Sequence, residues 1–161
     1  MRILGIDPGI GRMGWAVIET KNQELSTKNY GCIETEPNSE ITGRLFAIYD
    51  EVCSIIEEYK PDALAIEDLF FAKNAKTAFA VGQARGVVLL ASAQKKLSVG
   101  IYTPLQVKMA VAGYGRAEKR QIGLMVKATL HLKEIPKPDD AADALAIALT
   151  HAFNIKYNTK A

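Results

Sequence analysis

The sequence predicts an α/β protein: a mixed five-stranded sheet, three antiparallel strands first, flanked by helices. Three observations carry that expectation. The chain opens with three strand-like runs joined by short turns. Its apolar period then switches to three- and four-residue steps between Ile41 and Tyr59. From there short apolar runs alternate with helical stretches.

Taken in order, Ile3 to Asp7 reads as a strand ended by the turn pair Pro8-Gly9. "MGWAVIET" suits a pleated surface, and "NYGCIET" follows it across a "KNQE" connection, which completes an antiparallel meander. Leu45, Ile48, Tyr49, Val52, Ile55 and Ile56 then form one apolar stripe on a helix that Pro61 stops. "ALAIE" is a fourth, buried strand. "AFAVGQARGVVLLASAQKK" is a second helix, with Gly82 and Gly86 as close-packing sites against another helix. "VGIYT" is a fifth strand, followed by helices through "LQVKMAVA", "EKRQIGLMVKATL" and "DDAADALAIALTHAF". A chain of 161 residues, 48% hydrophobic and 24% charged, can bury its own core, and no linker or repeat divides it. Residues 1–154 are expected to form a single domain and residues 155–161 a polar, frayed tail.

Composition narrows the function classes. Cys32 and Cys53 lie far apart without metal-ligand or CxxC spacing, so both read as free thiols of a reducing compartment. No run approaches a membrane span and no basic-then-apolar leader opens the chain, so a cytoplasmic protein without a membrane partner is expected. The net charge of +2 hides a segregation: residues 1–94 hold nine Lys/Arg against thirteen Asp/Glu, whereas residues 95–137 hold nine against two. A basic half of that kind suits a polyanion, or simply a solvated surface.

Asp7 is the odd residue of the first strand. A carboxylate directly behind Ile3, Leu4 and Ile6 either starts the Pro8-Gly9 turn or faces something positive. Glu67 ends the fourth strand in the same way, unless it is only a solvated strand end. Asp140 and Asp143 stand three apart near the start of the last helix, on one face among alanines. Asp139 before them is a first-turn residue favoured by the helix dipole. If strands one and four are neighbours, all four acids can meet, and their repulsion then calls for a cation. Oxygen ligands suit Mg2+ or Mn2+, and two such ions roughly 3.5–4 Å apart would serve phosphodiester hydrolysis.

Basic and aromatic residues lie beside these acids. Phe70 and Phe71 follow Glu67 in a polar stretch and can stack on unpaired bases or tuck into the core. Lys73 and Lys76 can track phosphates. Lys108, and Lys119 after the glycines of "GYGRAEKRQI", are the preferred contacts to a cleaved phosphate. His131 and His151 have no ligand spacing and read as structural or exposed.

With those residues in hand, the chain resembles the RuvC family of Holliday junction resolvases. "GIDPG", "AIEDLFFAKNA", "GQARG", "AEKRQ" and "DAADALAIA" carry the resemblance along nearly the whole chain. It implies an RNase H-like fold and a homodimeric, Mg2+-dependent endonuclease, with two ions per site and Mn2+ able to substitute. The implied reaction is paired, symmetric nicking of a four-way DNA junction in recombination and repair, leaving 5′-phosphate and 3′-hydroxyl ends. By resemblance Asp7, Glu67, Asp140 and Asp143 match the catalytic acids, Phe70 the base-stacking aromatic, and Lys108 and Lys119 the basic residues at the cleaved backbone. It also implies work beside a junction-binding protein and a branch-migration ATPase motor, and a dimer interface on the Gly82/Gly86 helix. Asp68 and Phe71 receive no role.

Other readings remain open at this stage. "GIDPG" before "GWAV" also resembles the phosphate loop of actin-like and sugar-kinase ATP-binding proteins, which need a second domain of similar size. A nuclease of ribosomal RNA processing and a binding-only protein are the remaining alternatives.

Overall fold

The computed structural model describes residues 1–22, 24–69 and 75–158, the side chains of 75, 76 and 156–158 excepted. Its strands are β1 (Arg2–Asp7), β2 (Arg12–Lys21), β3 (Glu24–Glu34), β4 (Ala63–Glu67) and β5 (Ser98–Tyr102). The helices are α1 (Ile41–Tyr59), α2 (Ala75–Gln94), α3 (Pro104–Ala112), α4 (Lys119–Thr129) and α5 (Asp139–Asn158). The sheet runs β3-β2-β1-β4-β5, with β1, β2 and β3 antiparallel and β4 and β5 parallel to β1. This is the mixed sheet expected from the sequence.

Alternation along the central strands splits the core into two layers. Leu4 and Ile6 of β1, with Leu64 and Ile66 of β4, face α1 and α2, where Ile48, Val52, Ile56, Ala84 and Val88 close over them. Ile3 and Ala65 face the other way, toward α3, α4 and α5. The alanine run of α5 is what lets that helix lie close. Ala141, Ala144 and Ala148 are fully buried, and Gly5 has no side chain where the Ala144 carbonyl and Ala148 press on β1. Gly14 likewise leaves room for the backbone of Asp140, so the first turn of α5 sits directly on β2. Both glycines are needed for close approach.

The outline departs from expectation at a few places. The β2–β3 connection is shorter than "KNQE", because Lys21 and Glu24 pair with each other. The α2 helix begins at Ala75 instead of Ala78, and α5 continues to Asn158, past Asn154 where the polar tail was expected. Gly82 faces Leu69, whereas a side chain at Gly86 would meet nothing within 4 Å, so among the described residues neither glycine packs against another helix. Both cysteines are free.

Candidate active site

Strand parity aims two acids at α5. Gly5 faces the Ala144 turn of that helix, so Asp7, two residues on, points to the same side. Ala65 and Glu67 repeat the relation on β4. The β1–β4 register closes with Ile6 opposite Ile66, so Asp7 and Glu67 are each one residue beyond it, at neighbouring strand ends. Above them the first turns of α5 bring Asp143. These three acids, with Lys108 of α3 and Lys119 of α4, line one cavity of about 250 Å3 whose apolar wall includes Val107, Ile122 and Ile147.

Electrostatics mark this cavity off from the rest of the surface. Burial, then the like charges of Glu67, Asp143 and Asp140, push the Asp7 carboxyl up to about 8. Burial and the charge of Asp143 push Glu67 up to about 7. Asp143 is raised by burial and held back by Lys119, whose Nζ lies 2.9 Å from its Oδ2. Lys119 is the first residue of α4, set there by a capping box between Glu118 and Gln121.

Asp140 stands apart. Its Oδ2 pairs with Arg12 Nε at 3.1 Å, and it borders a neighbouring cleft with Arg12, Lys119, Lys137 and Asp139 instead of the cavity. It still acts on Asp7 through its charge. Sequence reasoning grouped Asp140 with the other acids and passed over Arg12. The closely spaced Gly9 and Gly11 were a signal that the chain turns sharply there: Gly9 lies against the carbonyl of Arg12.

The donor set fits a hard divalent cation in kind: among the described residues the cavity wall offers three carboxylates, no thiolate and no imidazole. Among the described residues no three His, Cys, Asp or Glu side chains stand close enough together to hold an ion as they are placed. Lys119 takes part of the charge of Asp143 instead.

Of the remaining sequence candidates, Phe70 and Lys73 lie outside the described residues, as does the side chain of Lys76. His151 is buried, with its Nδ1 2.6 Å from the Tyr102 hydroxyl, and His131 is exposed at a turn.

Fold and cleft together define a class, an RNase H-like α/β protein with carboxylates gathered at the ends of its central strands. The family model described as Crossover junction endodeoxyribonuclease RuvC matches residues 3–151. A crossover junction endodeoxyribonuclease RuvC of Caldicellulosiruptor saccharolyticus is 56% identical over 155 residues, 96% of this chain and 93% of that protein. A solved Thermus thermophilus RuvC structure aligns with TM-score 0.92 at 38% identity, covering 99% of this chain and 98% of that one. The Thermus thermophilus RuvC in complex with Holliday junction substrate aligns with TM-score 0.93 at 39% identity, over 99% and 97% of the two chains. The chain belongs to the RuvC family of crossover junction endodeoxyribonucleases.

Proposed function

We propose that this protein resolves four-way DNA junctions by metal-dependent hydrolysis of opposed phosphodiesters, with Asp7, Glu67, Asp140 and Asp143 as the acids of the site. The observation that carries the reading is the shared cavity of Asp7, Glu67, Asp143, Lys108 and Lys119 at the strand ends of a RuvC-family fold. The chain acts as one nuclease domain that takes in the whole of α5, and the protein works in the cytoplasm.

Asp7, Glu67 and Asp143, joined by Asp140 from its Arg12 pair, would hold two Mg2+ ions, with Mn2+ able to substitute. Bound there, the ions supply Lewis-acid charge for in-line hydrolysis. The protein's own groups do the rest. Lys108 and Lys119 reach the phosphate from α3 and α4 and offset the charge that builds on it in the transition state. The apolar wall of Val107, Ile122 and Ile147 limits water around the reacting group. Phe70 stacks on an unpaired base, and Lys73 and Lys76 follow the backbone. Work beside a junction-binding protein and a branch-migration motor belongs to the same reading.

The homodimer has its own support. On α2, Phe79, Gly86 and Leu90 fall on one stripe, and Phe79 is 70% exposed. Phe46 on the adjoining α1 is 68% exposed. Large aromatics left open on two packed helices suit burial against a second copy. A two-fold dimer presents two cavities to a substrate of matching symmetry, which accounts for paired nicks.

Incubation with a synthetic four-way junction, linear duplex, structured RNA or ATP, with Mg2+ or with chelator, tests the proposal. Paired junction nicks that need metal are expected, without ATP turnover. Equal cutting of linear duplex removes junction selectivity. Neither the ribosomal RNA nor the ATP-binding alternative gains support from the relatives found, which are crossover junction endodeoxyribonucleases.

A further inference from the structure

Glu67 is the last residue of β4, where the strand leaves the centre of the sheet. The register with β1 ends at the pair just before it, Ile6 opposite Ile66. On the other side β5 still follows: Tyr102 stands opposite Glu67, and the Tyr102 carbonyl accepts the Asp68 N–H at 2.8 Å. Past Glu67 the pairing thus continues on the β5 side, through Asp68.

A second hold comes from α2. Arg85 Nε donates to the Glu67 backbone carbonyl at 3.2 Å, and its Nη2 lies 3.5 Å from Asp68 Oδ1. The same Asp68 oxygen accepts the Leu69 N–H at 3.0 Å. One turn earlier on α2, Gly82 leaves space that the Leu69 side chain borders, 3.7 Å from where a Cβ would stand. Three consecutive residues at the exit of β4 are thus engaged by the segment "GQAR" of a single helix. Arg85 is only 17% exposed, and a cation so covered is costly unless its donors are matched. Two of its nitrogens meet a carbonyl and a carboxylate, an arrangement that suits a planar fork better than an ammonium. Arg85 does not line the cavity, so it touches no reacting group.

We propose that Arg85 is a positioning residue for Glu67, holding from α2 the backbone that aims this carboxylate into the cavity. The inference rests on the reading of Glu67 as a metal-binding acid. A supporting residue of this kind fixes the ligand's direction, and its loss typically costs about 10- to 100-fold in metal affinity or rate.

The test compares Arg85→Met, Arg85→Lys and Glu67→Gln in the full chain. It measures junction cutting at saturating substrate, junction affinity in chelator, and Mn2+ binding without DNA by electron paramagnetic resonance. For Arg85→Met the expected result is kcat lower by about 10- to 100-fold, weaker Mn2+ binding and unchanged junction affinity. Excess Mn2+ should restore part of the rate, and Arg85→Lys should fall between the two. If Glu67→Gln is inactive while Arg85→Met keeps the parent kcat and Mn2+ affinity, the positioning role is overturned and the site stands. If Glu67→Gln cuts normally, the reading of the site itself fails. Should Arg85→Met not fold, Arg85→Lys decides: lost cutting with unchanged Mn2+ affinity makes Arg85 merely structural and overturns the proposal.

Discussion

Lys119 Nζ lies 2.9 Å from Asp143 Oδ2, so an ammonium from the start of α4 meets the acid that α5 lowers into the cavity. The Lys119 amine is raised by that hydrogen bond and stays charged at neutral pH. The arrangement neutralises part of an acidic cluster and leaves a cation facing the space a phosphate would enter.

Replacing Lys119 by Met separates these roles from general DNA attraction. Cutting of a static junction should fall by about 10²- to 10³-fold, the usual loss when one transition-state donor is removed. Junction affinity in chelator should fall far less, because many other basic residues of 95–137 remain. Gel-shift and single-turnover measurements on the same junction check both.

The raised carboxyls make stability and activity move oppositely with pH. Burial and the neighbouring acids push the Asp7 carboxyl from an ordinary 3.8 up to about 8, so its protonated form favours the folded state. That stabilisation is complete below the unfolded value and is lost as pH rises through the folded one. In chelator, Asp7→Asn should therefore melt above the parent at about pH 8, and by less at about pH 5, as thermal scans at both values would show. The shift is about 2–4 °C per kcal/mol relieved in a domain of this size. Asp140→Asn should gain less, because it gives up the Arg12 pair while relieving part of the repulsion on Asp7. Mg2+ competes with the same protons, so cutting by the parent at limiting Mg2+ should climb between about pH 6 and 8. Excess Mg2+ should flatten the rise.

Gly14 controls where the first turn of α5 rests. A Cβ there would meet the Asp140 backbone, so Gly14→Ala must lift the helix end that carries Asp140 and Asp143. Overpacking of this kind costs about 1–3 kcal/mol. A folded but slow enzyme is expected, its loss of cutting larger than its loss of melting temperature suggests.

Phe79→Glu with Leu90→Glu should give a monomer by sedimentation, since both side chains stand on the open stripe of α2. Nicks on the two opposed strands should then become uncoupled, with singly nicked junctions accumulating.

Much of this architecture was legible in the sequence because it follows from period. Asp7 and Glu67 stood out as charged ends of two short apolar runs, and the alanine run of α5 announced a helix pressed onto the sheet. The parting of Asp140 from the other acids was not legible. It depends on β2 passing beneath the N-terminus of α5, where Gly14 lets Arg12 come within reach. The three-residue spacing of Asp140 and Asp143 says only that they share a helix face. Arg85 was hidden for a similar reason: α2 reaches the exit of β4 only in the folded chain. A run of basic residues such as 95–137 cannot tell which two amines will line a cavity, and α3 and α4 supply Lys108 and Lys119 by packing.

The most direct measurement is diffraction from Mn2+-soaked crystals at a wavelength that reveals anomalous scattering by manganese. The expected result is a peak, or a close pair, bounded by Asp7, Glu67 and Asp143, with Lys119 drawn off Asp143. A cavity free of anomalous signal at saturating Mn2+, or peaks only at sites remote from these three carboxylates, would contradict the claim that they gather to hold the ions for hydrolysis.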